Sequence, residues 1–256
     1  QRVRETGADL ALGFDGDGDR CGVVDDTGEE IFADKIGLML ARDLSALHAN
    51  ATFVVDVKST GLYKTDAVLK ANGANTVYWK TGHSYIKRKT AELGALAGFE
   101  KSGHFFFNAP IGRGYDDGTV AAGAILAMLD RNPGKKLSEL KAALPDAWTS
   151  LTMSPRCDDE LKYEVLERIV ADYEALAAAG GSILGRKIVE AITVNGVRVH
   201  LEDGSWVLVR ASSNKPELVV VVESMRSADD MRALFHDEVK PRLAKYPEIG
   251  AYNQEI

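Results

Sequence analysis

The chain has 256 residues, of which 45% are hydrophobic and 27% charged, and its formal net charge is −7 at pH 7. This composition excludes a disordered or fibrous protein, and no apolar run is long enough to cross a bilayer. The acidic balance argues against a nucleic-acid surface, because binding a phosphate backbone needs a basic face. Cys21 and Cys157 lack the spacing of a disulfide framework or a zinc site. We therefore expect a cytoplasmic protein that binds neither nucleic acid nor membrane.

Two short strands and an acidic loop open the chain. Ala8 to Phe14 and Cys21 to Asp25 are the predicted strands, and aspartates alternate with glycines between them. Carboxylate oxygens suit a hard divalent cation, and glycines let a short backbone turn all three side chains toward one centre. The sequence therefore predicts a metal site at three aspartates, Asp15, Asp17 and Asp19. Arg20 adds a fixed cation, as a site that handles phosphate needs.

Two other interpretations of the acidic loop are weaker. An EF-hand calcium loop begins in the same way, but its sixth position should be Gly and is Arg20, and its twelfth should be Glu and is Asp26. The flanking segments also resemble strands rather than the helices of an EF-hand. A solvated acidic turn is disfavoured by the apolar runs on both sides.

Helices and strands alternate in the next part of the chain. The predicted helices cover 36–47, 63–71, 84–93 and 117–129, and the predicted strands cover 52–57, 76–79 and 95–99. Asp34 is the candidate cap of the first helix. This alternation predicts an α/β domain with a doubly wound, mostly parallel sheet, whose ligands gather at the carboxyl ends of the strands.

The pattern changes after Pro145. A long helix is predicted over 159–179, followed by strands over 188–192, 196–201, 206–210 and 218–222 and a last helix over 227–243. These elements indicate a smaller α+β domain. We predict three parts: a remnant of another α/β domain at 1–32, the α/β domain at 33–145, and the α+β domain at 146–256.

Three loops of the predicted α/β domain carry groups that the fold alone does not require. Lys80, Thr81, Gly82 and His83 lie between a strand and a helix, where backbone N–H groups and a cation can meet an anion. The next strand is followed by a carboxylate, a hydroxyl and an imidazole that can bind sugar hydroxyls and move protons, at Glu100, Ser102 and His104. Lys58 follows a buried strand. Ordinary polar turns and an exposed lysine are the alternatives.

The loop from Arg210 to Pro216 joins two apolar strands, and each of its polar side chains can donate a hydrogen bond to a ligand: a guanidinium, two hydroxyls, an amide and an ammonium. Its candidate phosphate-binding residues are Arg210, Ser212, Ser213 and Asn214. A plain polar hairpin is the alternative, because Asn-Lys-Pro is typical of turns.

These motifs in this order resemble the α-D-phosphohexomutase family, most closely the bacterial phosphomannomutase/phosphoglucomutase type. Asp15 to Arg20 resembles its metal loop, Lys80 to His83 a substrate loop, and Glu100 to His104 its sugar-recognition loop. Arg210 to Pro216 lies where its phosphate-binding loop belongs. The resemblance covers essentially the whole chain, and four ordered motifs are far more specific than one.

The resemblance implies an isomerase that transfers a phosphoryl group between O1 and O6 of a hexose phosphate, through a phosphoserine and a hexose 1,6-bisphosphate. The substrates would be mannose or glucose 1- or 6-phosphate. The three aspartates would hold Mg²⁺, Arg20 would contact the transferring phosphate, and Lys58 and His83 would lie near the reacting oxygens.

The remaining implied roles concern protons, the sugar and the second phosphate. His83 or His104 would assist proton transfer, and the resemblance does not separate them. Residues 80–82, Glu100 and Ser102 would bind the substrate, with the last two on sugar hydroxyls. The donor loop that begins at Arg210 would hold the phosphate that is not transferred.

Departures from the family pattern limit what the chain does alone. The family carries its phosphoserine in a loop like T-A-S-H-N-P, and no such segment occurs here. The chain also begins at Gln1 without an initiator Met. We therefore expect the carboxyl-terminal part of a longer mutase, inactive by itself. The alternatives are a phosphoglucosamine mutase and a non-catalytic sugar-phosphate or metal-binding protein.

Three single-residue departures affect substrate preference. Phe99 replaces a usual Gly, Asn214 stands where Thr is common, and Val221 lies where some members have an Arg. The preferred sugar therefore stays open.

Overall fold

The computed structural model describes residues 1–256. The chain forms two compact units, one of residues 1–59 and 66–145 and the other of residues 60–65 and 146–256. Residues 1–32 lie in the first unit, so their assignment to a separate domain stays a prediction. The chain contains no helix with the length and apolarity needed to cross a membrane.

Seven helices and seven strands form the chain up to residue 145. The helices are α1 (Arg2–Thr6), α2 (Ala33–Leu47), α3 (Leu62–Thr65), α4 (Ala67–Ala71), α5 (His83–Glu92), α6 (Gly118–Asp130) and α7 (Leu137–Ala142). The strands are β1 (Leu10–Phe14), β2 (Cys21–Asp25), β3 (Glu30–Ile31), β4 (Thr52–Asp56), β5 (Asn75–Trp79), β6 (Ala97–Phe99) and β7 (Phe105–Phe107). All of them except α3 belong to the first unit.

The first unit contains two sheets. The order β1-β2-β3 is antiparallel throughout, and Phe14 pairs with Cys21, so residues 15–20 form the hairpin loop. The second sheet has the order β5-β4-β6-β7, with β4 parallel to both of its neighbours and β7 antiparallel. The predicted mixed α/β fold with a mostly parallel sheet is confirmed.

Phenylalanines fill the space around β6 and β7. Phe99 packs against Phe53, Phe105 and Phe107, with ring centroids 5.7–6.0 Å apart. Because successive strand residues face opposite sides of a sheet, Phe106 lies on the other face, where it packs with Ile86 of α5. Phe105 and Phe107 therefore pack on one face of β7 and Phe106 on the other. The sequence did not predict this strand.

Helix α5 lies very close to strand β6. A Cβ atom on Gly98 would lie 2.3 Å from Thr90 Oγ1 and 2.9 Å from Ile86 Cγ2. Only glycine permits this close packing of α5 on β6.

Several helix boundaries differ from the sequence-based expectations. The predicted helix over 63–71 is two short helices, α3 and α4, because the Asp66 side chain caps the second one through the N–H groups of residues 68 and 69. Asp34 is not a cap: Phe32 occupies that position, and the Asp34 carboxylate is buried 3.7 Å from Lys101 Nζ.

An antiparallel sheet dominates the second unit. Its elements after residue 145 are β8 (Trp148–Thr149), α8 (Lys162–Ala178), β9 (Ser182–Ile183), β10 (Arg186–Ile192), β11 (Val197–Leu201), β12 (Trp206–Ala211), β13 (Leu218–Ser224), α9 (Ala228–Ala233), a π-helical segment (Leu234–Val239) and α10 (Lys240–Leu243). The sheet order is β8-β13-β12-β11-β10-β9. The last predicted helix is therefore interrupted by a wider π turn, although Ser227 caps its start through the Asp230 N–H.

A buried carboxylate, Glu223, ties this unit together. It accepts hydrogen bonds from Thr60 Oγ1 at 3.0 Å, the Gly61 N–H at 2.7 Å and Trp206 Nε1 at 2.8 Å, and another from Thr149 Oγ1. A carboxylate removed from water must find such donors, because an unpaired buried charge is very unfavourable. Glu223 thereby fixes the segment 60–65 to the sheet of the second unit.

A histidine in the same sheet is held in its neutral form. Arg198 Nε donates to His200 Nε2 at 2.7 Å, and the guanidinium stacks on the Trp206 ring at 3.8 Å. Burial, and then the charge of Arg198, hold the pKa of His200 well below its ordinary value of 6.5.

We predict that His200 makes the protein less stable in mild acid. The unfolded chain takes up a proton near pH 6.5 and the folded chain does not, so stability is full above that pH and falls below it, by about 1.4 kcal/mol per pH unit at most. In His200→Gln, an amide oxygen can replace Nε2 as the acceptor for Arg198, and the contribution of residue 200 to the loss of stability in acid should vanish. Urea unfolding between pH 7 and pH 5 measures the change of the free energy of unfolding with pH. His236→Gln, at an exposed position, is the matched control, and an unchanged slope in His200→Gln would contradict the assignment.

Candidate functional site

The acidic loop gathers its three carboxylates at the tip of the β1–β2 hairpin. Asp15, Asp17 and Asp19 each place one oxygen within 4.8 Å of the other two. Gly18 has a φ of 76°, and its carbonyl accepts the Gly118 N–H at 3.0 Å. The three carboxylates are thus brought together by local backbone geometry that Gly118, at the start of α6, supports from outside.

Arg20 neutralises part of this charge. Its Nε donates to Asp15 Oδ2, its backbone N–H donates to Asp15 Oδ1 at 3.2 Å, and its Nε lies 3.9 Å from Asp19 Oδ1. Desolvation opposes ionisation of Asp15, but the hydrogen bonds from Arg20 outweigh it and lower the pKa of Asp15 to about 2. Asp15 therefore stays ionised at neutral and mildly acidic pH.

The loop after β6 lies directly beside the acidic loop. Arg20 and His104 form an antiparallel β-bridge, and the Cys21 N–H donates to the Gly103 carbonyl at 3.3 Å. Gly103 has a φ of 100°, which favours glycine at this turn. These contacts bring His104 Nε2 to 3.4 Å from Asp19 Oδ2.

Glu100 is a buried carboxylate at the base of this loop, with only 3% of its surface exposed. Its Oε1 accepts the Gly82 N–H at 2.9 Å, and its Oε2 lies 3.3 Å from His104 Nδ1. Burial, together with the nearby carboxylate of Asp56, raises the pKa of Glu100. Ser102 Oγ lies 2.9 Å from the same His104 nitrogen.

The loop after β5 joins this group through Gly82 and His83. His83 begins α5, and its ring stacks on the His104 ring with centroids 5.4 Å apart. Lys80 Nζ lies 5.8 Å above the Tyr85 ring, and Thr81 lies between Lys80 and Gly82. Lys58 follows β4, whose carboxyl end lies beside those of β5 and β6, and its backbone N–H donates to Asp56 Oδ1 at 3.0 Å.

Asp116 is a site residue that the sequence analysis missed. Its Oδ2 lies 3.0 Å from His83 Nδ1, and its Oδ1 accepts from Lys87 Nζ at 3.0 Å. Burial opposes ionisation, but Lys87 and His83 outweigh it and the pKa of Asp116 is lowered. The only sequence signal was a second acid directly before the Asp117 cap of α6.

The predicted phosphate loop lies in the second unit and joins β12 to β13. The Ser212 N–H donates to the Glu217 carbonyl at 3.0 Å, while Ser213 and Asn214 are exposed. Arg210 Nη1 donates to the Ala211 carbonyl at 2.9 Å.

Lys162 shapes this loop and was also missed. Its buried Nζ donates to the carbonyls of Ser212 at 2.7 Å and Lys215 at 3.0 Å and to Asp159 Oδ1 at 2.6 Å. Lys162 is the first residue of α8, although the amino ends of helices favour acids rather than cations. Such an unfavourable position is a sequence signal that the lysine has another role.

The fold and these loops define a mixed α/β protein with two units. The first has a mostly parallel sheet and carries a cluster of carboxylates, and the second has an antiparallel sheet. Residues 32–148 match the domain described as "Phosphoglucomutase/phosphomannomutase, alpha/beta/alpha domain III". Residues 156–240 match "Phosphoglucomutase/phosphomannomutase, C-terminal domain". The two matches cover most of the chain, which therefore belongs to the phosphoglucomutase/phosphomannomutase family.

Relatives and a solved structure agree with this assignment. The chain is 35% identical to the phosphomannomutase/phosphoglucomutase of Pseudomonas syringae pv. tomato, over 93% of this chain and 48% of that protein. It is 33% identical to a phosphoglucomutase of Neisseria gonorrhoeae, over 85% and 44%. A phosphoglucomutase/phosphomannomutase family protein from Burkholderia thailandensis matches 97% of this chain and 49% of its own, with a TM-score of 0.78 and 28% identity. The chain thus spans about half the length of these relatives.

We predict that Lys162→Met destabilises the protein by roughly 1–3 kcal/mol. Methionine has no hydrogen-bond donor, so the carbonyls of Ser212 and Lys215 would lose the ammonium group that now donates to them. Urea unfolding followed by circular dichroism measures the change. Lys245→Met, at an exposed position, should change the free energy of unfolding little. Equal effects of the two substitutions would remove Lys162 from the role of holding the loop.

Proposed function

We propose that this chain carries the metal-binding, sugar-recognition and phosphate-binding parts of a phosphohexomutase. The reaction moves a phosphoryl group between O1 and O6 of a mannose or glucose phosphate, through a phosphoserine and a hexose 1,6-bisphosphate. The observation that carries the proposal is the group of three aspartates, which Arg20 links to the Glu100–His104 loop. An EF-hand is disfavoured, because strands β1 and β2 flank the acidic loop.

Mg²⁺ fits the acidic loop by the chemistry of its donors. Three carboxylate oxygens within 4.8 Å of one another suit a hard cation that prefers oxygen ligands. Asp15, Asp17 and Asp19 would hold the ion. When bound, it would neutralise charge on the transferring phosphoryl group, which is the main demand of phosphoryl transfer.

Arg20 has two roles in this proposal. It pairs with Asp15 when no phosphate is present, and it would turn to the transferring phosphate when the substrate arrives. A guanidinium suits this exchange, because it binds carboxylate and phosphate through the same planar set of donors. Lys58 would add a second cation near the reacting oxygens.

We infer that His83, rather than His104, moves the proton. The His83 side chain is 51% exposed and Asp116 orients it through Nδ1, as a general acid or base requires. His104 is 14% exposed, and its two nitrogens already face Glu100, Ser102 and Asp19. His104 would then hold the site in shape.

The remaining loops would bind the sugar and its second phosphate. Glu100 and Ser102 would hold sugar hydroxyls, with Lys80, Thr81 and Gly82 beside them. The donor loop of the second unit, with Arg210, Ser212, Ser213 and Asn214, would hold the phosphate that is not transferred. The guanidinium of Arg210 and the other side chains that can donate hydrogen bonds to phosphate oxygens support this role.

The serine that must carry the phosphoryl group does not occur in a recognisable loop of this chain. We therefore propose that the chain alone binds Mg²⁺ but does not convert glucose 1-phosphate to glucose 6-phosphate.

Calorimetric titration with Mg²⁺ tests the binding, and a coupled assay for glucose 6-phosphate tests the conversion. Asp17→Asn should abolish Mg²⁺ binding, and Asp9→Asn, outside the loop, should not. Robust turnover by this chain, or equal Mg²⁺ binding by both variants, would refute the proposal. Binding without turnover in any longer form of the protein would favour a non-catalytic binding protein.

The pairing of Arg20 with Asp15 predicts that one substitution changes Mg²⁺ affinity and mutase turnover in opposite directions. Arg20→Gln should tighten Mg²⁺ binding several-fold, because it removes a cation that competes for Asp15. The same substitution should lower mutase turnover in the whole protein, because the phosphate loses its guanidinium. Arg2→Gln, which lies in an exposed pair with Glu5, is the control for both measurements. Weaker Mg²⁺ binding in Arg20→Gln would show that Arg20 supports the metal loop rather than competing with the ion.

A further inference from the structure

A second group of ligating atoms lies beside the acidic loop. Asp19, His104 and Asp116 each bring one ligand atom within 4.8 Å of the other two. His104 Nε2 is 3.4 Å from Asp19 Oδ2. Zinc bonds to nitrogen and oxygen of about 2.0–2.1 Å place two ligands of a tetrahedron about 3.3 Å apart. The spacing of these two atoms therefore already matches two corners of a zinc site.

The far side of His104 supports this interpretation. Its Nδ1 faces Ser102 Oγ at 2.9 Å and Glu100 Oε2 at 3.3 Å. Glu100 is 97% buried, and its Oε2 faces the imidazole of His104. A carboxylate behind an imidazole is the usual support of a metal-binding histidine, since it fixes the proton on one nitrogen and leaves the other to the metal. This arrangement leaves Nε2 directed at Asp19.

Asp116 is held in place from its other side. Lys87 Nζ donates to Oδ1 at 3.0 Å, while Oδ2 lies 3.0 Å from His83 Nδ1. One oxygen is thus fixed by a cation, and the other lies on the side of the stacked histidines. Ligating carboxylates are generally oriented by such outer hydrogen bonds.

The donor set differs in kind from that of the acidic loop. Three carboxylates suit Mg²⁺, whereas an imidazole with two carboxylates suits zinc and similar ions. Asp19 presents Oδ1 on the side of Arg20 and Oδ2 on the side of His104. We propose that Asp19, His104 and Asp116 form a binding site for a divalent transition metal of the zinc type, which shares only Asp19 with the group of three aspartates.

An ion at this site has a functional consequence, which rests on the proposed function. It takes up Asp116, the carboxylate that orients His83, and Asp19, one ligand of the proposed Mg²⁺ site. An ion at this site would therefore compete with Mg²⁺ for Asp19 and withdraw Asp116 from His83. The binding of zinc itself needs neither mutase activity nor Mg²⁺.

Titration of this chain with Co²⁺ and Zn²⁺ tests the site. Co²⁺ serves as a visible probe, because four- or five-coordinate Co²⁺ absorbs far more strongly than the six-coordinate ion. We expect one equivalent of Co²⁺ to give the strong spectrum, and Zn²⁺ but not an equal concentration of Mg²⁺ to remove it. His104→Gln and Asp116→Asn should each weaken Zn²⁺ binding at least tenfold. Glu100→Gln, which removes only the support of His104, should weaken it by about tenfold.

Asp17→Asn and His236→Gln are the controls. Asp17 belongs only to the group of three aspartates and His236 to neither group, so both variants should keep the strong Co²⁺ spectrum. Thermal unfolding verifies that each variant is folded, and Asp116→Asn, which preserves side-chain shape, decides the question if His104→Gln does not fold. The proposal is overturned if Asp17→Asn loses the spectrum while Asp116→Asn keeps it, or if no strong spectrum forms.

The same titrations separate this site from the proposed function. If Mg²⁺ does not bind the unaltered chain but Co²⁺ binding depends on His104 and Asp116, the mutase proposal loses its metal loop and the zinc-type site stands. If Mg²⁺ binding depends on Asp17 and Co²⁺ gives only a weak six-coordinate spectrum, the mutase proposal stands and the zinc-type site is wrong.

Discussion

A backbone bridge joins Arg20 to His104, and the Cys21 N–H extends it with a hydrogen bond to the Gly103 carbonyl. Main-chain bonds of this kind fix the distance between two loops more firmly than contacts between long side chains, because little rotamer freedom remains to be lost. The hairpin that carries the aspartates and the loop that carries Glu100 and the imidazole therefore form one site. If this bridge opened, the carboxylates would remain on their hairpin, but they would lose their neighbouring histidine.

The site concentrates acids, and each acid is stabilised in its own way. Asp15 pairs with Arg20, and Asp116 pairs with Lys87 and His83, so the pKa values of both acids are lowered despite desolvation. Glu100 is more deeply buried and lies near Asp56, and its pKa is raised instead. Carboxylates with opposite shifts in one site are typical of functional centres, where some groups must stay charged and others must be free to hold a proton.

The second unit uses buried charge for a structural purpose. Glu223 collects donors from three separate parts of that unit, and Lys162 donates to the carbonyls of the loop that follows β12. Both side chains satisfy backbone or side-chain groups that would otherwise be buried without partners. An exposed loop of donors can keep one conformation because a buried lysine holds it from behind.

The sequence alone determined the alternation of helices and strands, the acidic hairpin and most residues of the candidate loops, because these depend on short-range periodicity, turn chemistry and local motifs. It missed β7, because three phenylalanines show no alternation when both faces of a strand are buried. It also missed Asp116 and Lys162, and it did not distinguish His83 from His104. Their partners lie far away in the chain, and only the tertiary structure brings Lys87 and His83 to Asp116, or the loop after β12 to Lys162. Roles that arise from such long-range contacts are decided by folding and leave little trace in local sequence.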